Sequence, residues 1–171
     1  LLLCAPAFAA VAESLSEVKT AGGKPNILYI LCDDLGYGDV QCLGGGRSKI
    51  PTPNIDRLAA AGMTFTEAHS CASVCTPSRY GILTGRYNWR SYLQSFVLDD
   101  NRPPLITAGR LTVAGLLKQN GYYTAAIGKW HVGFTIQGEC PTGPQKSGMG
   151  PPVGAVTADG PLTRGFDEFF G

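Results

Sequence analysis

No block of basic residues and no basic amphipathic stretch runs through this chain, whose 14 Lys and Arg nearly balance 13 Asp and Glu. That removes the electrostatic footprint of a nucleic-acid partner and of a membrane-surface helix. A membrane-crossing stretch is missing too. The apolar run LLLCAPAFAAVA is interrupted by Pro6 and followed by Glu13, short of the about 20 apolar residues that a spanning helix takes. Its small-residue end fits the tail of a secretory signal peptide, with Ala7-Phe8-Ala9 and Ala10-Val11-Ala12 as A-x-A cleavage patterns. Leu3 before Cys4 is too large for a lipoprotein signal. The expected organisation is a signal remnant over 1–12, a linker over 13–24 and a domain over 25–171, the whole a fragment open at both ends. A secreted or periplasmic location goes with it. No internal repeat is present, and no second Cys or His pair has zinc-ligand spacing.

Against these absences stands an alternation of strand-like and helix-like segments. NILYILC, after Lys24-Pro25, is a continuous apolar run of strand length, as for a strand buried on both faces. TPNIDRLAAAG predicts a helix with Thr52 as cap, Pro53 in first position and Gly62 at the end. MTFTEAHS suits a second strand. PSRYGILTG predicts a short helix from Pro77 with Thr76 as cap, and LTVAGLLKQNGY one capped by Thr112 and stopped by Gly121. YTAAIGKWH is a further strand. Strands alternating with helices predict an α/β fold with a mostly parallel central sheet flanked by helices. From Gly138 to Pro161 the chain is rich in Gly and Pro and reads as a long surface excursion.

Three stretches carry residue types suited to chemistry. Asp33-Asp34 closes the first strand before Gly36 and Gly38. Open α/β sheets bind ligands at the carboxyl ends of strands, and two adjacent acids there suit Ca²⁺ or Mg²⁺, although the spacing is not that of a calcium loop. Solvated acids in a turn are the plainer alternative. Cys75 lies just outside the helix expected from Pro77, where free backbone N–H groups gather anions, and Arg79 lies four residues on with a planar fork for an oxyanion. Such a place favours a reactive thiolate. A Cys71–Cys75 disulfide, a zinc site with His69, or a buried small side chain are the competing readings. In GKWH, strand alternation puts Lys129 and His131 on one face and Trp130 on the other as an apolar anchor. Six cysteines become five once Cys4 leaves with the signal, so one has no intramolecular partner.

NILYILCDDLGYGD, CTPSRYGILTGR and GKWHVG, in this order, and later RGFDEFFG, resemble the N-terminal part of the type I sulfatases. These are formylglycine-dependent enzymes of the alkaline phosphatase superfamily. The resemblance implies an alkaline phosphatase-like fold and conversion of Cys75 to Cα-formylglycine by a formylglycine-generating enzyme that reads Pro77 and Arg79. It implies Asp33, Asp34 and the converted Cys75 as metal ligands, usually for Ca²⁺. Arg79 and Lys129 match residues that hold the hydrated aldehyde and the sulfate, and His131 one that hydrogen-bonds the hydrate. The implied reaction is hydrolysis of a sulfate ester on a small molecule or carbohydrate. Further metal ligands and the group that protonates the leaving alcohol fall downstream, so the fragment alone is expected to be inactive. Cys32, Cys42 and Cys71 match no functional position. Phosphonate or phosphate ester hydrolysis, or a catalytically dead scaffold that binds sulfated glycans, are the alternatives.

The prediction is direct. Fragmentation mass spectrometry of the tryptic peptide Leu58–Arg79, from full-length protein made in a host able to convert a control sulfatase, is expected to show an aldehyde or its hydrate at Cys75. Cys71 in the same peptide is expected to stay a thiol. A thiol at Cys75 contradicts the catalytic reading.

Overall fold

Apolar side chains from segments far apart in sequence, aromatic rings among them, make the core. The computed structural model describes residues 23–98, 102–137 and 156–171. Tyr80, Leu98, Leu105, Ile106, Trp130 and Val132 form a buried cluster, and Leu83, Leu93, Phe134, Phe166 and Phe169 pack against it. The elements in chain order are α1 (Gln41–Gly44), α2 (Pro53–Ala61), α3 (Cys75–Thr84), α4 (Val113–Gln119), β1 (Ala125–Ile127), β2 (Thr135–Ile136), β3 (Thr157–Asp159) and β4 (Glu168–Phe170), with short 3₁₀ turns between them. β1 pairs in parallel with β4, Ala126 opposite Phe169. β2 and β3 form an antiparallel pair, Thr135 opposite Asp159. Among the described residues no helix is long and apolar enough to cross a membrane.

The last segment is tied down by ionic and polar contacts. Arg164, almost fully buried, forks onto Asp159 at 2.6 and 2.8 Å and donates from Nε to the Ile106 carbonyl at 2.8 Å. Thr112 Oγ1 donates to the Arg164 carbonyl at 2.6 Å and caps α4 by accepting from the Gly115 N–H at 3.0 Å. Gly165 follows with φ +101, and a Cβ there would run into the backbone of Gly115. Only glycine lets this turn lie on α4. Asp167 accepts from the Thr124 N–H and hydroxyl, each at 2.9 Å, and pairs with Lys118 at 2.6 Å.

Several expectations hold. α2 runs from Pro53 with Thr52 at the cap position. α4 is capped by Thr112, and Gly121 after it is left-handed at φ +79. β1 lies within YTAAIGKWH.

Others need correction. Residues 26–32 form no strand, and Ile27, Leu28, Tyr29, Ile30 and Leu31 are exposed. A run of this kind is a strand only between neighbours, and no described segment pairs with it. Residues 63–70 are likewise exposed and unpaired. The Thr52 hydroxyl does not cap α2; it donates to Asp56 Oδ1 at 3.0 Å and accepts from Gln41 N at 3.0 Å. β1 ends at Ile127, where Gly128 turns the chain at φ +96, so strand alternation does not reach Lys129, Trp130 and His131. Within the expected surface excursion, residues 157–159 form β3. The signal remnant over 1–12, the linker up to residue 22, residues 138–155 and Cys140 lie outside the described residues.

Lys118 and the Thr124 bonds hold the Asp167 carboxyl at about 2, below its ordinary 3.8. A depressed carboxylate pKa gives stability that is present above the unfolded-state value and lost as pH falls through the folded one. The stability gap between the protein and its Asp167→Asn variant is therefore expected to be full near pH 5 and to shrink as pH falls toward 2. Urea unfolding across that range measures it.

Candidate active site

The helix carrying Cys75 starts earlier than its proline suggests. Val74, extended at φ −134 and ψ 163, occupies the cap position, and the Ser78 N–H closes the first turn on the Val74 carbonyl at 3.3 Å. Cys75 is thus the first helical residue and Pro77 the third. The correction has a simple cause: the N–H groups of all the first helical positions lack intrahelical acceptors, so a proline fits any of them without losing a bond. Cys75 is half-buried. Gly85, left-handed at φ 66, ends the helix as expected.

Asp33, Arg79 and Lys129 meet beside this first turn. Lys129 Nζ donates to Asp33 Oδ2 at 2.5 Å, and Arg79 Nη2 lies 3.3 Å from Asp33 Oδ1. Arg79 Nη1 also donates to the Lys129 carbonyl. One guanidinium therefore joins three segments remote in sequence. The Lys129 hydrogen bond is the main cause that lowers the Asp33 carboxyl below its ordinary pKa, against some desolvation. The reciprocal bond from Asp33, with a contribution from the Cys75 sulfur, raises Lys129 above the usual lysine value. Lys129 and Cys75 are thus electrostatic neighbours.

His131 is placed by its backbone and by one ring nitrogen. Its φ of +53 is left-handed, rare for a residue with a Cβ. Its Nε2 lies 3.0 Å from the Leu98 carbonyl. A carbonyl only accepts, so Nε2 carries a proton, and whenever the ring holds a single proton Nδ1 is its lone pair. The Leu98 N–H in turn donates to Thr76 Oγ1 at 3.2 Å, on the second residue of α3. Trp130, between Lys129 and His131, is buried as expected, but loop geometry rather than strand alternation puts it there. Leu98 was invisible in the sequence because a backbone contact leaves no mark on residue type. Among the described residues the buried side-chain atoms without a hydrogen-bond partner are Arg79 Nε and His131 Nδ1. Arg79 belongs to the cluster around Asp33, while His131 is tied through Leu98 to Thr76, and buried polar atoms ordinarily have partners.

Asp34 sits at φ 59, in the turn after Asp33, and is exposed. Asp33 and Asp34 are hard oxygen donors of the kind Ca²⁺ and Mg²⁺ take, but Ca²⁺ wants about 6–8 oxygens and Mg²⁺ about six. Among the described residues no group of three or more His, Cys, Asp or Glu could hold a metal ion. The donor chemistry fits such an ion; the donor number amounts to part of a shell.

The competing cysteine readings find no support in the geometry. Cys32, Cys42, Cys71 and Cys75 are free. His69 is exposed and pairs with Glu67 at 3.5 Å, so it joins no zinc site. Cys71 Sγ donates to the Pro77 carbonyl at 3.3 Å and fills the notch left by the missing side chain of Gly81.

The family model described as Sulfatase matches residues 25–171. The chain belongs to the sulfatase family. An N-acetylgalactosamine-6-O-sulfatase of Bacteroides thetaiotaomicron is 45% identical over 115 residues, covering 67% of this chain and 22% of that protein. The human steryl-sulfatase is 38% identical over 157 residues, covering 88% of this chain and 24% of the relative. The sulfatase chain thus spans about a quarter of the length of these relatives. A solved structure from work on glycosaminoglycan metabolism by Bacteroides thetaiotaomicron superposes with a TM-score of 0.69 at 38% identity, over 86% of this chain and 28% of that one. The structure of Ps i-CgsB gives 0.65 at 34% identity, over 86% of this chain and 28% of that one. The fold class of the sulfatase is therefore α/β and alkaline phosphatase-like, with a parallel sheet flanked by helices, of which this chain carries a part.

A Gly81→Ala change would drive a methyl group into Cys71 Sγ. Overpacking of this kind costs about 1–3 kcal/mol, more than the up to about 1 kcal/mol that alanine gains over glycine within a helix. The variant is expected to unfold at lower denaturant, and adding Cys71→Ala to recover part of the loss. Equilibrium unfolding of the two variants decides it.

Proposed function

We propose that the protein is an exported sulfuric ester hydrolase whose nucleophile is made from Cys75. The observation that carries this reading is the meeting of Asp33, Arg79 and Lys129 beside half-buried Cys75 in the first turn of α3, with Arg79 Nε and His131 Nδ1 buried and unpartnered. A guanidinium and an ammonium gathered beside one cysteine suit a tetrahedral oxyanion bound next to it. The family supplies the rest as an expectation: a hydrated formylglycine offers two hydroxyls on one carbon, one of which a divalent metal makes nucleophilic at neutral pH.

The chain's own residues have definite tasks under this reading. Arg79 and Lys129 hold the sulfate oxygens and offset the charge that develops on them. His131, with its proton fixed on Nε2, takes a proton at Nδ1. Asp33 keeps both cations in place and, with Asp34 and the converted Cys75, would hold the Ca²⁺ or Mg²⁺ ion. The C-T-P-S-R stretch, residues 75–79, is the part that a formylglycine-generating enzyme would read.

A sulfated carbohydrate is the favoured substrate class. A relative at 45% identity is named for a sulfated amino sugar, and a solved neighbour with TM-score 0.56 and 33% identity is a complex with k-i-k-neocarrahexaose.

Full-length protein with verified conversion at Cys75 is expected to hydrolyse an aryl sulfate faster than the matched aryl phosphate, and Cys75→Ala is expected to abolish both activities. Faster turnover of the phosphate would make it a phosphorus ester hydrolase. No turnover of either by converted protein would overturn hydrolysis and leave a binding scaffold.

A further inference from the structure

His131 can act at Nδ1 only while its ring is held in one tautomer and one orientation, and the polar contact that does this ends on a backbone carbonyl, that of Leu98. A carbonyl in a connecting segment fixes a ring only as well as it is itself fixed. Leu98 is buried in the core by its side chain, and its N–H is taken by Thr76 Oγ1 at 3.2 Å. Thr76 is fully buried, with no exposed surface, and follows Cys75 directly in the first turn of α3. We infer that Thr76 is a positioning residue for His131, acting through Leu98; the inference rests on the sulfatase reading of the site.

The geometry gives the threonine a task that its position alone does not. With α3 starting at Cys75, Thr76 is not the helix cap, so its hydroxyl is not spent on the helix's own amides. It reaches across to a segment 22 residues on and fixes Leu98 to the turn that carries Cys75. The line Cys75, Thr76, Leu98, His131 then references the base to the nucleophile through two hydrogen bonds. The left-handed backbone at His131 makes this contact matter more, because that conformation needs support from its surroundings. A buried valine of the same shape would leave the Leu98 N–H unpaired and free the segment to shift.

The test uses full-length protein, with Cys75 conversion in each preparation quantified by fragmentation mass spectrometry, since Thr76 lies within the stretch that directs it. Rates on an aryl sulfate are expressed per converted site. Thr76→Val is expected to lower kcat about tenfold or more with KM unchanged, as misplacement of a catalytic group does. Thr76→Ser, which keeps the acceptor, is expected to stay close to wild type. A valine variant that is less stable but retains wild-type kcat overturns the inference, and so does a serine variant that falls with the valine one. The ring tautomer of His131, read from ¹⁵N shifts in the wild-type protein, keeps the inference testable where the valine variant fails to fold or is not converted. A proton on Nε2 is expected; a proton on Nδ1 overturns it. Converted wild-type protein that turns over no sulfate ester counts against the sulfatase reading instead, and the tautomer still decides whether Leu98 orients the ring.

Discussion

The burial of Trp130 fixes where the site can be. Its indole sits edge-on to Phe166 and Phe169, with ring centroids 6.1 and 6.4 Å away, and its N–H reaches the Gly133 carbonyl at 3.0 Å. Lys129 and His131 flank it in a loop bounded by left-handed Gly128 and Gly133. Neighbours of a residue buried this firmly have little freedom, so the ammonium and the imidazole are delivered by the indole's position. The two phenylalanines come from the last described segment, itself held by the Arg164–Asp159 fork and the Asp167–Lys118 pair. Truncating a buried tryptophan costs about 3–5 kcal/mol, a large part of the about 5–15 kcal/mol by which domains are stable. Core and site are therefore one construction.

Onto this frame the electrostatics add position more than stability. The Asp33 side chain is 35% exposed and that of Lys129 43%, and pairs this open to solvent contribute little to folding. What the pairs do is connect. Arg79 binds the Asp33 carboxylate with one nitrogen and the Lys129 carbonyl with another, so residue 33, α3 and the loop after β1 are brought to one point. Taking the carboxylate away would leave two neighbouring cations facing each other, with their repulsion unopposed.

The residue types of the candidate site are legible in the sequence, its geometry only in part. Cys75, Arg79, Asp33 and Lys129 could be chosen by chemistry, and the structure joins Asp33 to Arg79 and Lys129, with Cys75 next to Lys129. The caps at Thr112 and Gly121 were legible because they act within a few residues. Local rules misled where two positions satisfy them equally: Pro77 marks a helix start, but any of the first positions suits a proline, so Cys75 was placed outside a helix it begins. They misled again at GKWH, where alternation stops as soon as Gly128 leaves the strand region. The apolar run 26–32 failed for a different reason. A strand buried on both faces is defined by what lies beside it, and no described residue pairs with it. Thr76 and Leu98 lay beyond reach because their contacts run between a side chain and a distant backbone.

Under the sulfatase reading the same arrangement would couple two kinds of ligand, an oxyanion and a divalent cation. Arg79 and Lys129 have one anionic partner in common, Asp33, and a tetrahedral oxyanion arriving between them competes for the same donors. An isolated pair of cations would bind the oxyanion more strongly but would not hold together without it. A divalent cation held by the carboxylate would remove the conflict, because the charge that Asp33 gave to it would no longer draw the two side chains. Binding of either ligand would then favour binding of the other, since such coupling is reciprocal by thermodynamic necessity. Asp33 would be the residue through which that coupling passes, since its carboxylate faces both cations and offers oxygens of the kind a hard metal takes.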